Sequence, residues 1–322
     1  MSRCTPVGCA LLSPRRVLAL LLGPALSSFA LANVPPATLG WAHGADASLA
    51  GQRCTVDRRA AAELSQHEFN ALYLEKQPVV LTGLSGNERV RDLCARERLL
   101  ADWVRGVASR RVSLYRVQAS AEANAAPLQG EHEIVLSTAN TYSYDKKRMS
   151  LRQYVADHFA PQATNTSGRD VLYHFGDNNH TEWSALLDLY VRPPFIPADA
   201  QVALSFGLAG PGSGVPFHIH GAGYSETLIG RKRWLLYAPE QRPPFDPDEL
   251  SLKWLLRWQA GDLEIAAHGP PLDCTIGPGE ALYFPSRWWH ATLNVDESVF
   301  VSSFVSYART GVAPRRAAVE LR

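Results

Sequence analysis

Two imidazoles stand at i and i+2 in Phe217-His218-Ile219-His220-Gly221-Ala222-Gly223, and in an extended chain both rings leave the same face. Two neutral imidazoles on one face are a metal-binding geometry. Gly221 and Gly223 then end the strand in a turn where backbone can approach a small ligand. A third histidine, His290, closes the run Pro285-Ser286-Arg287-Trp288-Trp289-His290, 70 residues beyond His220. Strands that far apart can lie side by side in a jelly roll. Three side chains converging from such strands, with coordination positions left open, are how non-haem iron is held. The alternative for His218 and His220 is the ordinary one, histidines satisfied by hydrogen bonds in a core or loop.

The elements that must position these rings begin near residue 201, where short β-rich runs are broken by Gly and Pro. The runs cover 202–208, 216–220, 226–229, 234–237, 274–276, 281–284, 291–294 and 299–306, with one helix at 250–258. That spacing predicts a mainly β domain with flanking helices, a double-stranded β-helix of the cupin or jelly-roll type, and not a parallel α/β sheet. Residues 201–309 form this core. Residues 58–200 read as an α/β extension packed on the barrel. Within it a helix is expected in 58–73 with Ser65 as cap, a strand at 78–83, a helix at 96–104 and a strand at 112–117. A small-residue loop follows at 119–130, then a helix at 150–159 and a strand at 171–175. Residues 33–57, Ala-, Gly- and Pro-rich, read as a weakly ordered leading segment, and 310–322 as a tail.

Composition bounds the function. In 322 residues, 46% hydrophobic, there is ample material for a sizeable core. With 32 basic and 31 acidic residues the formal net charge is +1, which offers no electrostatic footprint for nucleic acid. The first 32 residues read as an export signal, with Arg15-Arg16 before the apolar stretch 17–26 and Ala30-Leu31-Ala32 as a cleavage site. Cleavage leaves a chain that does not span the membrane; the alternative is an uncleaved anchor. Of the five cysteines, Cys4 and Cys9 leave with the signal. Cys54 and Cys94 flank one helical segment and its following strand, which suggests them as a disulfide and leaves Cys274 as a buried strand thiol. The sequons at Asn165 and Asn179 suit glycosylation in the same oxidising compartment.

The segment 218–237, with Gly230-Arg231-Lys232-Arg233-Trp234 before an aromatic strand, resembles a JmjC domain. So do Gly279-Glu280-Ala281-Leu282-Tyr283-Phe284-Pro285 and Trp288-Trp289-His290. The resemblance implies a cupin-type jelly roll that binds iron(II) and 2-oxoglutarate and hydroxylates or demethylates proteins. It makes His218 the first metal ligand, His290 the last, and Lys232 the cation that grips the distal carboxylate of 2-oxoglutarate. His220 stands where family enzymes carry Asp or Glu, so the site becomes more positive. Val215 stands where they often carry a hydroxyl; Ser213, Ser225 or Thr227 is expected to replace it, with Tyr173 as a phenol from outside the barrel. Glu226 is a further source of a carboxylate, depending on which face of its strand it occupies. Within the family, the export signal, the sequons and the wording of 214–220 resemble a protein of the endoplasmic reticulum lumen. The changed triad leads to the expectation of a non-catalytic or atypical regulatory module that binds proteins. The alternative is an iron(II)- and 2-oxoglutarate-dependent protein hydroxylase of the secretory pathway.

Overall fold

The structure, a computed structural model, describes residues 38–51, 53–101, 133–142, 145–161, 166–175 and 180–307. After a 3-10 turn at Ala47–Ala50 come β1 (Asp57–Ala60), α1 (Gln66–Leu72), β2 (Val79–Thr82), α2 (Glu88–Leu93), α3 (Arg96–Leu100), β3 (Glu133–Thr138), β4 (Lys146–Ser150), α4 (Leu151–His158), β5 (Leu172–Tyr173) and α5 (His180–Leu187). The C-terminal part follows as β6 (Gln201–Ala209), β7 (Gly223–Ile229), β8 (Lys232–Tyr237), α6 (Ser251–Gln259), α7 (Leu263–His268), β9 (Leu272–Ile276), β10 (Glu280–Phe284), β11 (Trp289–Asn294) and β12 (Ser298–Ser306).

A major sheet runs in the order β1-β2-β10-β7-β12-β6 and a minor sheet in the order β11-β8-β9. Residues 212–218 extend the minor sheet along the free edge of β11. Gly212 N donates to Asn294 O, Asn294 N to Ser213 O, Thr292 N to Val215 O, and His218 and His290 exchange both backbone bonds at 3.1 and 3.0 Å. Two four-stranded sheets therefore face each other, β10-β7-β12-β6 against β9-β8-β11 and 212–218, which is the jelly roll read from the strand spacing.

The extension covers the outer face of the major sheet. Trp183, Leu186 and Leu187 pack with Phe206, Leu208, Leu228, Val299 and Val301, while Phe69 and Tyr73 of the α1 region pack on Val79, Leu81, Tyr224 and Tyr283. As a result β7 and β8 are buried along their whole length and show no alternation of polar and apolar residues. The outer face of the minor sheet is closed by α6, whose Trp254 and Leu255 meet Phe217, Leu235, Tyr237, Ala291 and Leu293. Two close approaches hold this arrangement. A Cβ on Gly214 would lie 1.8 Å from the Thr292 carbonyl oxygen, and one on Gly207 would lie 2.2 Å from the Phe300 ring.

Several expectations need correction. The disulfide joins Cys54 to Cys274, not to Cys94. Thr55 N donates to Asp273 O at 2.8 Å, so the segment before β1 runs along the edge of β9 and brings Cys54 beside Cys274. Cys94 ends α2, fully buried under Trp41, and has no disulfide partner among the described residues. The helix expected across 58–73 is confined to α1, with Ser65 and Glu68 forming a capping box; 57–60 pairs with β2 in parallel as β1. Within the leading segment, residues 38–51 are held in place. Trp41 is buried, Ala42 and Gly44 donate to the Glu297 and Asp296 carboxylates, and Arg233 reaches the Leu49 carbonyl. Its polar backbone is tied down by buried charge, which hydrophobic patterning does not reveal. The export signal, the strand at 112–117, the loop at 119–130, Asn165, Asn179 and the tail lie outside the described residues.

Because Gly214 has no room for a side chain, Gly214→Ala is expected to cost about 3 kcal/mol of stability. Gly277→Ala, where a Cβ meets nothing within 4 Å, should stay within about 0.5 kcal/mol of the parent. Urea denaturation of the two variants checks both.

Candidate metal centre

The antiparallel bridge between His218 and His290 sets both side chains on the inner face of the minor sheet. Each ring is then oriented by a carbonyl. His218 Nδ1 lies 2.8 Å from Pro216 O, His290 Nδ1 2.8 Å from Trp288 O, and His220 Nδ1 2.8 Å from Gly221 O. A carbonyl only accepts, so each Nδ1 carries the proton and each Nε2 presents a lone pair. His290 Nε2 and His220 Nε2 are 3.1 Å apart, and ligand nitrogens from all three rings lie within 4.8 Å of one another. Lone pairs converging at that distance repel unless a cation lies among them.

Protonation does not supply that cation. Burial, with repulsion from the His220 ring next, pulls His218 down to about 3. Burial and the two neighbouring rings hold His290 well below the usual imidazole range, and burial lowers His220 as well. All three are therefore neutral near pH 7, the state that a metal ligand requires. Phe284 and Phe304 meet the His220 ring edge-on at 5.2 and 5.1 Å, and Phe284 stacks on His290, so apolar faces wall the centre.

Further along the same face is Lys232. In the β8–β11 ladder Lys232 pairs with Asn294 and Leu236 with His290, so Lys232 projects to the side that carries the histidines. Its ammonium is buried, donates to Asn294 Oδ1 at 3.3 Å and sits 3.8 Å over the Phe300 ring. No carboxylate pairs with it among the described residues, and burial pulls its pKa down to about 7. Nearby, Trp234 Nε1 and Thr227 Oγ1 are buried without a hydrogen-bond partner among the described residues. A buried cation beside two orphaned polar groups fits a bound carboxylate, which offsets desolvation by pairing. The residues present thus fit both a divalent metal and the distal carboxylate of 2-oxoglutarate.

The other expected residues separate. Thr227 faces inward opposite Phe300, whereas Ser225 Oγ is already engaged with Ser302 Oγ at 3.1 Å. Ser213 spends its hydroxyl on the Gly210 carbonyl. Tyr173 packs with Val171, Ala209 and Val215 outside the centre. Glu226 cannot complete the triad. One residue from Ser225 and Thr227 along β7, it points to the outer face, where Asn87 Nδ2 at 2.9 Å and Tyr190 OH at 2.8 Å donate to its carboxylate. Burial pushes its pKa up to about 7. Asn294 and Phe300, which frame Lys232, were not among the expected site residues; only the register across β8, β11 and β12 reveals them.

The profile of the cupin-like domain matches residues 65–304, three quarters of the chain. The chain belongs to the cupin-like JmjC family. It is 46% identical over 254 residues to the JmjC domain-containing protein 8 of Rattus norvegicus, a match spanning 79% of this chain and 83% of the relative. With the protein of the same name in Homo sapiens the identity is 45% over 267 residues, spanning 83% of this chain and 89% of the relative. A 32% match over 181 residues, half of this chain and 43% of the relative, is to the human 2-oxoglutarate and iron-dependent oxygenase JMJD4. The JmjC resemblance read from the motifs around His218, Lys232 and His290 is thereby established at the level of family and fold.

Glu226 gives a test of the outer face. The folded protein keeps its proton up to about pH 7, against 4.5 for an unperturbed glutamate, so the folded state binds more protons between those values. Stability contributed by the protonated carboxyl is complete below about pH 4.5 and is lost as pH rises through 7, a fall of about 3 kcal/mol. Glu226→Gln, isosteric and uncharged, should flatten that fall. Denaturant unfolding across pH 4.5 to 7.5 measures it.

Proposed function

We propose that this chain is an atypical iron(II)- and 2-oxoglutarate-dependent oxygenase that modifies protein side chains in the lumen of the endoplasmic reticulum. The observation that carries the reading is the convergence of three Nε2 lone pairs on the barrel face from which a buried, uncompensated Lys232 also projects. His218, His220 and His290 would hold the metal, and Lys232 with Thr227 and Trp234 would hold the distal carboxylate. When bound, iron(II) with 2-oxoglutarate supplies the activation of dioxygen.

The chain's own residues do the rest. Backbone carbonyls hold the three rings in the ligating tautomer, so no reorganisation is needed on loading. Phe284, Phe304 and Trp234 exclude water around His290, which strengthens every charge interaction there. Lys232, poised near neutrality when alone, gains a proton once a carboxylate lies against it. His220 contributes no negative charge, so the anionic cosubstrate must balance the metal in place of a protein carboxylate.

The lumenal placement is supported by the leader-like N-terminus and by the Cys54–Cys274 disulfide, which suits an oxidising compartment. A second reading, a module that acts by binding proteins without turnover, is favoured by the imidazole at position 220. The human relative named as a 2-oxoglutarate and iron-dependent oxygenase favours the first.

Purified anaerobically, the protein should bind iron(II) and bind 2-oxoglutarate only with metal present. Lys232→Met should weaken 2-oxoglutarate by roughly 30-fold, about 2 kcal/mol. His290→Ala should abolish metal retention, and with it any 2-oxoglutarate decarboxylation. At pH 7.5 calorimetry should register proton uptake on 2-oxoglutarate binding, absent in Lys232→Met. Metal binding without decarboxylation would leave the protein-binding module as the function, and failure to bind metal would remove both ligand assignments.

A further inference from the structure

The two sulfurs of the disulfide lie in unlike surroundings. Cys274 sits on β9 opposite Trp234, buried with Val56, Leu236, Ile276, Leu282 and Phe284. Arg58 Nη1 donates toward Cys274 Sγ at 3.7 Å, while the same guanidinium pairs with Glu280. Cys54 is half-buried, and its Sγ lies 3.3 Å from the Val56 carbonyl oxygen. Negative charge is thus stabilised on one sulfur by a cation and opposed on the other by a carbonyl dipole. Exchange between thiol and disulfide is faster when the leaving sulfur carries charge well and when the attacked sulfur is accessible. The Arg58 guanidinium and the greater exposure of Cys54 favour the same direction of cleavage, against the burial of Cys274 among apolar side chains.

We propose that Cys54–Cys274 is a thiol–disulfide exchange site, attacked by an external thiol at Cys54, with Cys274 as the leaving group. The incoming thiolate forms a bond to Cys54 Sγ as the Cys54–Cys274 bond breaks, and the electron pair departs on Cys274 Sγ beside Arg58. A second thiol, of the same dithiol or of a second small-thiol molecule, then attacks the reductant's sulfur in the mixed disulfide. Cys54 is released as a thiolate that takes a proton from solvent, and the reductant leaves as a disulfide. The co-reactant is a thiol reductant, either small or a protein dithiol. Cys94, buried with its thiol pushed up by burial, takes no part.

Opening the bond leaves the segment in place. Thr55 N donates to Asp273 O and Asp273 N donates to Thr55 Oγ1, both at 2.8 Å. Thr275 Oγ1 holds Ala50 O at 2.6 Å, and Arg233 Nη1 holds Leu49 O at 2.9 Å. These bonds keep Cys54 beside β9, so the pair can close again. The inference does not rest on the metal reading: Cys54, Cys274, Arg58 and Glu280 lie outside the proposed ligand set, although Cys274 pairs with Trp234 across β8 and β9.

The test uses the oxidised full chain with reduced glutathione, quenched by alkylation and read by peptide mass mapping. Glutathione is expected on Cys54, with the alkylating reagent on Cys274. Arg58→Gln should slow exchange by roughly threefold to tenfold, and Arg58→Lys should restore part of the rate. Glu280→Gln, which frees the guanidinium from its competing carboxylate, should exchange as fast as the parent or faster. An adduct on Cys274, or no adduct until denaturant unfolds the chain, would overturn the proposal. Equal slowing in Arg58→Gln and Glu280→Gln would trace the effect to lost packing and overturn it too.

Discussion

The backbone pairing of residues 212–218 with β11 is the constraint on which the centre depends. It is a ladder of backbone hydrogen bonds, supplemented where Val215 N donates to Thr292 Oγ1 and Asn294 Nδ2 to Ser213 O, and it requires glycine at 214 to pass the Thr292 carbonyl. Once the ladder forms, His218 and His290 are opposite each other and must share a face, because antiparallel partners always do. The same register lines Lys232 up with Asn294 one strand further on. The proposed metal and carboxylate sites are therefore not separate inventions; both follow from one alignment of three strands.

Charge gives the alignment its meaning. The inner face holds three neutral imidazoles, one buried ammonium and two orphaned polar groups, with no carboxylate joining the histidines among the described residues. Outside the ligand-bearing face, charge is matched with care: Arg233 makes a bidentate pair with Asp273, Arg231 another with Asp296, and Glu226 is satisfied by Asn87 and Tyr190. A fold that compensates buried charge elsewhere presents at Lys232 a buried cation with no carboxylate partner among the described residues. Pairing with an anion would offset its desolvation.

How much of this was legible in the sequence depends on the range of the interaction. The period of two in His218-Ile219-His220 is a local fact, and it correctly put two rings on one face. Seven of the eight strand runs after residue 201 also held, with boundaries moved by one to three residues, because they rest on local composition; the run at 216–220 forms no strand of its own and joins β11 only through the bridge at His218. Glu226 was undecidable from the chain alone, since its facing depends on the shift in register between β7 and β12 at Val299 and Phe300. The disulfide was misread for a related reason: the contact between residue 54 and β9 spans a separation of 220, and nothing near Cys54 records it. Asn294 and Phe300 escaped notice because an amide and a phenyl ring carry no signal until Lys232 is seen against them.

The extension on the major sheet explains why so open a charge is tolerated. Lys232 is held in a barrel whose opposite wall, β7 and β12, is backed by the close-packed side chains of Trp183, Leu186, Phe206 and Val301. Gly207 admits the Phe300 ring, and that ring lies against the ammonium. The cation–π contact partly replaces the lost hydration, by about 2 kcal/mol where the ammonium is desolvated. That is too little to cancel burial, as the lowered pKa shows, and enough to keep the side chain inside. A rigid wall, a ring in place of water and a single amide oxygen hold Lys232 in a state of incomplete compensation. In that state the arrival of a carboxylate yields the most free energy.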